Sequence, residues 1–436
     1  MMKIKKFTSI LLAGTLTFGL VACGGSNGTT ETGNADTLTE APTDGEKITS
    51  PDQHEKFKIG ILEVQLNDES TNRASYFNDY IAPQYNCEFM FSEACADLNA
   101  AMTFVENAAD AGCDAIINYY AVGANTEQLI QLCQEYGMVY VENGGRNSQN
   151  DAAYQANYEN FAGAFMADQP DTGRLFREYL LETMDSSESH NFIVATGGAY
   201  QGNAQQTEIS TNMLEAIQEL YGLTYDKTIE ELITSASPIT GTSDKGIEVY
   251  CYPGVPSAKG WLEGMSAALQ TGKYDYLLLA PQALGNVGTA VSEVEEALNK
   301  DITIIGFGSF GDALTNGFKT KDKFGNTTVS MSTVKFTSLV SAMGFSKVYN
   351  MLTGYGDATH TADGQPAVGL FRMQAVTEAS QLDEMESWDT PGKWVADYDV
   401  LNGFLGMYNE GITAEQVQEK INAVTYDSIK ERLGSN

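Results

Sequence analysis

Basic residues are scarce in this chain. Lys and Arg number 25 against 58 Asp and Glu, a formal net charge of −33 over 436 residues. So acidic a surface repels nucleic acid and anionic headgroups, and neither is expected as a partner. Histidine is rarer still: His54, His190 and His360 are scattered, and their spacing builds no zinc site. The six cysteines include no CxxC pair and no metal-ligand spacing. No HExxH, P-loop or EF-hand loop occurs, and no GxSxG surrounds Ser309. Carboxylate pairs such as Asp168 with Asp171, or Glu63 with Glu142, read as solvated or capping groups in so acidic a chain. The expectation is a protein with no cofactor and no catalytic centre. Past the N-terminus, no stretch is long and apolar enough to cross a bilayer.

The N-terminus itself opens with Lys3, Lys5 and Lys6. Phe7 to Leu20 is apolar but broken by Thr, Ser and Gly, too short for a comfortable membrane span. It ends in Leu20–Val21–Ala22–Cys23–Gly24. This run resembles the lipobox of bacterial lipoprotein signal peptides, which are cut before the Cys, whose sulfur is then diacylated. The resemblance implies loss of residues 1–22 and a membrane anchor at Cys23. Without it, the stretch reads as a secretory signal with an incidental Cys. Ser26 to Gln53 is rich in Gly, Thr, Asn, Asp and Glu and cannot build a core. It reads as a flexible spacer, so that 23–55 tethers an extracytoplasmic body. Cys113 and Cys133 fall in apolar periodic segments and read as small buried hydrophobes. A Cys87–Cys95 disulfide stays open in an oxidising compartment.

From Phe57 the chain alternates. Phe57–Leu62 is a near-continuous apolar run, as expected of a parallel strand covered on both faces. The sequence turns polar at Glu63, and in open parallel sheets ligands sit beyond the carboxyl ends of strands. Helical spacing follows at Tyr76, Phe77, Tyr80 and Ile81, then strand Cys87–Phe91, helix Leu98–Ala109 stopped by Gly112, and strand Ala115–Tyr120. Helix Thr126–Tyr136 and strand Met138–Val141 complete a first half. Residues 147–158 read as a loop, and Asp171 as the N-cap of a helix carrying Leu175, Phe176, Tyr179 and Leu180. A second half repeats the rhythm, with strands at 192–195, 247–252, 276–280, 302–307 and 327–332. A long helix from Phe336 to Met351 and a strand-like run Ala367–Val376 follow. Thr413–Ala414–Glu415–Gln416 is a capping box that opens a helix. Strands alternating with helices imply parallel sheets with right-handed crossovers, here as two lobes.

These elements, with the Lys58–Ile59–Gly60–Ile61 strand, the Phe161–Gly163 passage, Thr303–Phe307 and Thr328–Ser332, resemble bacterial type I periplasmic binding proteins of the simple-sugar ABC transporter group. The resemblance covers about 56–376. It implies an α/β fold of two doubly wound parallel-sheet lobes, joined by a hinge around an interlobe ligand cleft. The expected boundaries are 56–163 with 334–366 for the first lobe and 164–333 with 367–395 for the second. Residues 396–436 form a helical extension. It also implies a small-molecule solute, and an ABC permease and ATPase on separate chains.

The chain departs from the sugar-binder pattern at several positions. Gly308 stands where an Asp is usual, Pro281–Gln282 where an Asn-Asp pair is, and Glu208 near an expected Arg; Glu142 keeps the acid after the fourth strand. Gly306 to Gly311 also spells GxGxxG, but a dinucleotide fingerprint needs a full helix behind it, and only Ala313–Leu314 continue an apolar pattern. The candidate ligand-binding residues are Glu63, Gln65, Tyr120, Glu142 and Asn143 from the first lobe and Tyr200, Gln282, Phe310 and Ser332 from the second. Carboxylate and amide groups would grip hydroxyls and the aromatics would stack on a sugar or another flat ligand. A ligand-sensing receptor component, a nucleoside-binding lipoprotein and an extracellular hydrolase are the alternatives.

Overall fold

The computed structural model describes residues 47–95, 97–119, 126–144 and 158–434. The chain divides into Met1–Thr39 and Glu40–Asn436, and all the described residues belong to the second unit. The predicted anchor Cys23 and the candidate Tyr120 lie outside the described residues.

Thirteen strands run through the described residues: β1 (Phe57–Leu62), β2 (Cys87–Phe91), β3 (Ala115–Asn118), β4 (Val139–Asn143), β5 (Phe161–Ala167), β6 (Phe192–Gly197), β7 (Ile239–Thr242), β8 (Glu248–Pro253), β9 (Tyr276–Leu279), β10 (Thr303–Phe307), β11 (Val329–Val334), β12 (Val368–Phe371) and β13 (Gln374–Val376). They form a six-stranded sheet in the order β12-β5-β4-β3-β1-β2 and a seven-stranded sheet in the order β13-β11-β10-β9-β6-β8-β7. The first sheet is parallel throughout. The expected two doubly wound lobes are present, with one difference: both edges of the second sheet, β7 and β13, are antiparallel. The β7–β8 connection is a hairpin around Gly246 (φ 78°), too short for the helical crossover that a parallel pair needs.

The lobe boundaries differ from the expected ones because strands, not sequence blocks, define them. Residues 164–167 complete β5, and β12 pairs with β5, so both belong to the first sheet. The run Ala367–Val376 is two strands in two sheets, because the chain changes lobe between Phe371 and Gln374. The chain thus crosses three times, after β5, after β11 and after β12. Gly163 sits at the first crossing strand with φ 88°, where a Cβ would meet the Ala367 carbonyl oxygen at 2.2 Å. Only glycine tolerates both that torsion and that approach.

Other local expectations were adjusted by hydrogen bonding. The helix Gln169–Thr183 is capped by Asp168, which accepts from the Asp171 N–H at 3.1 Å. A helix, Asp312–Lys319, does stand behind Gly306–Gly311. Cys87 and Cys95 are buried and free. Among the described residues no helix is long and apolar enough to cross a membrane.

The helix Thr337–Leu352 returns from β11 to the first sheet and is buried on nearly every side. A helix buried all round needs its polar groups satisfied internally. Ser341 donates to the Thr337 carbonyl at 2.7 Å, and Asn350 donates to the Phe404 carbonyl and accepts from the Gly406 N–H. The last two bonds dock the C-terminal extension. That extension consists of Tyr398–Phe404, Ala414–Asn422 and Tyr426–Leu433, and its Leu401, Phe404, Ile421 and Ile429 join the largest apolar cluster.

Candidate functional site

The loop after β1 begins the site. Asn67 is an N-cap: its Oδ1 accepts from the Ser70 N–H at 3.0 Å and starts the helix Asp68–Ser75. This helix carries Arg73 to the residues that follow β1 and β3, and Glu69 and Asn72 to Lys335 and Asp389. Arg73 Nε donates to Glu63 Oε1 at 2.7 Å, and its Nη2 lies 3.3 Å from Glu69 Oε1. The guanidinium stacks 3.6 Å from the centre of the Tyr119 ring. From the second lobe, Lys335, just past β11, reaches Glu69 Oε1 at 3.1 Å. Two acids and two bases thereby form one chain of charges that spans the lobes. Burial raises the Glu69 pKa, but Lys335 and Arg73 more than offset it and hold the carboxyl down at about 2. Burial likewise disfavours the Arg73 cation, and Tyr119, Glu69 and Glu63 outweigh it, pushing its pKa above the ordinary value.

A cavity of about 280 Å³ opens beside this chain. Asp68, Glu69 and Asn72 form its first-lobe wall, and Ser309, Phe310 and Gly311 its second-lobe wall. Lys335 and Thr337 line it at the crossing, and Met385, Glu386, Asp389 and Thr390 close it from the C-terminal side. That last wall is tied to both lobes. Asn72 Nδ2 donates to the Asp389 carbonyl at 2.8 Å, and Thr315 Oγ1 donates to Glu386 Oε1 at 2.8 Å. Lys319 forms an ion pair with Asp383. Asp389 is buried and caps the helix Thr337–Leu352 from outside its own segment, accepting from the Ser338 N–H at 3.0 Å and from its hydroxyl. Burial raises the Asp389 pKa, and these hydrogen bonds oppose the rise.

Of the candidates taken from the sequence, Phe310 lines the cavity. Gln282 is one residue removed, donating from Nε2 to the lining Ser309 Oγ at 2.5 Å. Glu63, only 3% exposed, is engaged by Arg73. Glu142 is buried and accepts from the Tyr140 hydroxyl at 3.4 Å. Ser332 is buried in β11, and a Cβ at Gly308 would come within 2.4 Å of its Oγ, so β10 and β11 pack where an Asp is usual. Gln65 is exposed; Asn143 and Tyr200 are half-buried, and the Tyr200 hydroxyl accepts from Gln201 at 2.8 Å. None of these last six is part of the lining described. Lys335, Glu69, Asn72, Glu386 and Asp389 were not singled out from the sequence. Only the Asn67–Ser70 capping pattern points toward the helix that carries two of them.

The sequence matches no known family profile and no curated protein. Solved structures do match. An ABC transporter solute-binding protein from Bacillus halodurans with bound myo-inositol is 15% identical, with a TM-score of 0.53, over 76% of this chain and 98% of its own. One from Burkholderia graminis in complex with D-arabinose is 10% identical, with a TM-score of 0.54, over 77% and 98%. One from Agrobacterium vitis with bound D-fucose is 13% identical, with a TM-score of 0.54, over 76% and 99%. The fold is that of the type I periplasmic binding proteins. In this fold the chain passes three times between the two sheets. The Glu69–Lys335 pair and the cavity lie where residues of the two lobes meet.

Proposed function

We propose that this chain is an extracytoplasmic substrate-binding protein of an ABC importer, held to the membrane through lipidated Cys23, that captures a small polar solute, a sugar or sugar-like molecule, between its lobes. The observation that carries this reading is the cavity walled by both lobes, in a fold whose similar structures hold myo-inositol, D-arabinose and D-fucose. Its volume of about 280 Å³ lies at the small end of ligand pockets, which run from about 300 Å³ upward, and suits one ring rather than a chain of sugars. Phe310 offers a face for stacking, while Asn72 and Thr337 offer hydrogen bonds. A ligand that touches both walls favours the closed arrangement by its differential contacts. A permease and an ATPase on separate chains would receive the solute.

A thermal-shift screen of monosaccharides and polyols tests this. A ligand at a hundredfold its Kd stabilises the native state by about 2.7 kcal/mol, a clear rise in Tm. No shift with any member of the panel would overturn the reading.

A further inference from the structure

The charges around the cavity do not balance. Glu69 is neutralised by Lys335 and Arg73, and Arg73 also serves Glu63. Asp389 spends both carboxylate oxygens on Ser338 at the positive end of a helix. Two lining carboxylates remain without an ion pair among the described residues: Asp68 from the first lobe, exposed and at the positive end of the helix Asp68–Ser75, and Glu386 from the C-terminal wall. Glu386 is the more telling. It ends the helix Ala379–Glu386, whose last turn holds no basic residue, so it sits at the negative end of the dipole. Its neighbours Asp383 and Glu384 are offset by Lys319 and Lys430. Among the described residues the Glu386 carboxylate accepts a hydrogen bond from the Thr315 hydroxyl alone, and Lys319 stands within electrostatic reach of it. The nearby Lys319 ammonium is already engaged by Asp383. A half-buried carboxylate kept against a helix dipole with only a shared cation, Lys319, is a cost to the fold, and it leaves a negative field in a partly enclosed space.

We propose that the cavity selects a hydroxylated solute carrying a protonated amine, an amino sugar, with Asp68 and Glu386 as the specificity-determining contacts. The inference rests on the sugar-binding reading above and narrows it. An ammonium between the two walls makes charge-assisted hydrogen bonds to both carboxylates, while the Phe310 ring covers the apolar face of the sugar. A neutral sugar leaves the pair of charges unmatched. Lys335 does not repel the amine strongly, because Glu69 holds and screens it.

Calorimetric titration of the detergent-solubilised full chain at pH 7 decides the matter. Glucosamine and galactosamine are compared with glucose, galactose and myo-inositol, for the native chain and for Asp68→Asn and Glu386→Gln. Both replacements preserve shape, and the amide oxygen that Glu386→Gln introduces can still accept from Thr315. The expected result is amino sugars at least tenfold tighter than their parents, with each variant losing most of that preference. Neutral sugars binding as tightly as amino sugars, or a preference that survives both variants, would overturn the inference and leave the sugar-binding reading standing. Binding of neither class would overturn both.

Discussion

Arg73 and Lys347 are both buried cations, and their surroundings treat them in opposite ways. Arg73 is matched by Glu63 and Glu69. Lys347 meets no carboxylate among the described residues: its Nζ donates to the carbonyls of Ala162 and Ala367 at 3.3 and 2.9 Å, and burial lowers its pKa to about 7. Removing Arg73 strands two carboxylates, so Arg73→Met should destabilise by about 3–5 kcal/mol, read as a lower urea midpoint. The Lys347 prediction concerns pH. The unfolded chain keeps its proton up to the ordinary value of 10.5, whereas the folded chain releases it near 7. Between those values the unfolded state binds more protons, so this residue makes stability rise with pH. Lys347→Met should flatten that rise; an unchanged slope of midpoint against pH would refute the buried-charge account. At acid pH the group that matters is a carboxylate. Glu69, held at about 2 against an ordinary 4.5, contributes stability that is complete above 4.5 and lost as pH falls toward 2.

At the level of elements, side-chain amides finish what the backbone leaves open. Gln418 faces the edge strand β12 as a neighbouring strand would: its Oε1 accepts from the Leu370 N–H and its Nε2 donates to the Leu370 carbonyl, both at 2.7 Å. This covers an edge that would otherwise expose unpaired groups. Gln418→Ala should cost about 1–3 kcal/mol for the two lost bonds and speed hydrogen exchange at the Leu370 amide. The helix that carries Gln418 was legible, because Thr413 and Gln416 form the reciprocal bonds that their spacing announces. The helices Ala379–Glu386 and Tyr398–Phe404 were not marked. They are short, and their stability comes from burying Leu382, Met385, Leu401 and Phe404 against distant parts of the chain. Likewise Asp168 and Asp171 offer the same capping chemistry, and the end of β5 at Ala167 selects the first.

For the whole molecule, three chain crossings join the two sheets and the C-terminal wall is bonded to both lobes, so any opening of the cavity must break or carry along the Asn72–Asp389 and Thr315–Glu386 bonds. The anchor is separately testable. Metabolic labelling with a tagged fatty acid should mark the native chain and leave Cys23→Ser unmarked. A Cys23→Ser chain that still carries the label would contradict lipidation at that position.

The sequence by itself determined the rhythm of strand, loop and helix, the two halves, and the helix starts and stops, because each depends on residues a few positions apart. Only the tertiary structure decided which carboxylates are spent and which stay free. Glu63 reads as a cleft residue until Arg73 is seen on it, and Glu386 reads as one acid among many until it closes a cavity. Those roles depend on pairs such as Glu69 with Lys335 and Asn72 with Asp389, hundreds of residues apart in the chain. No local pattern encodes such a pair; sheet topology brings it together.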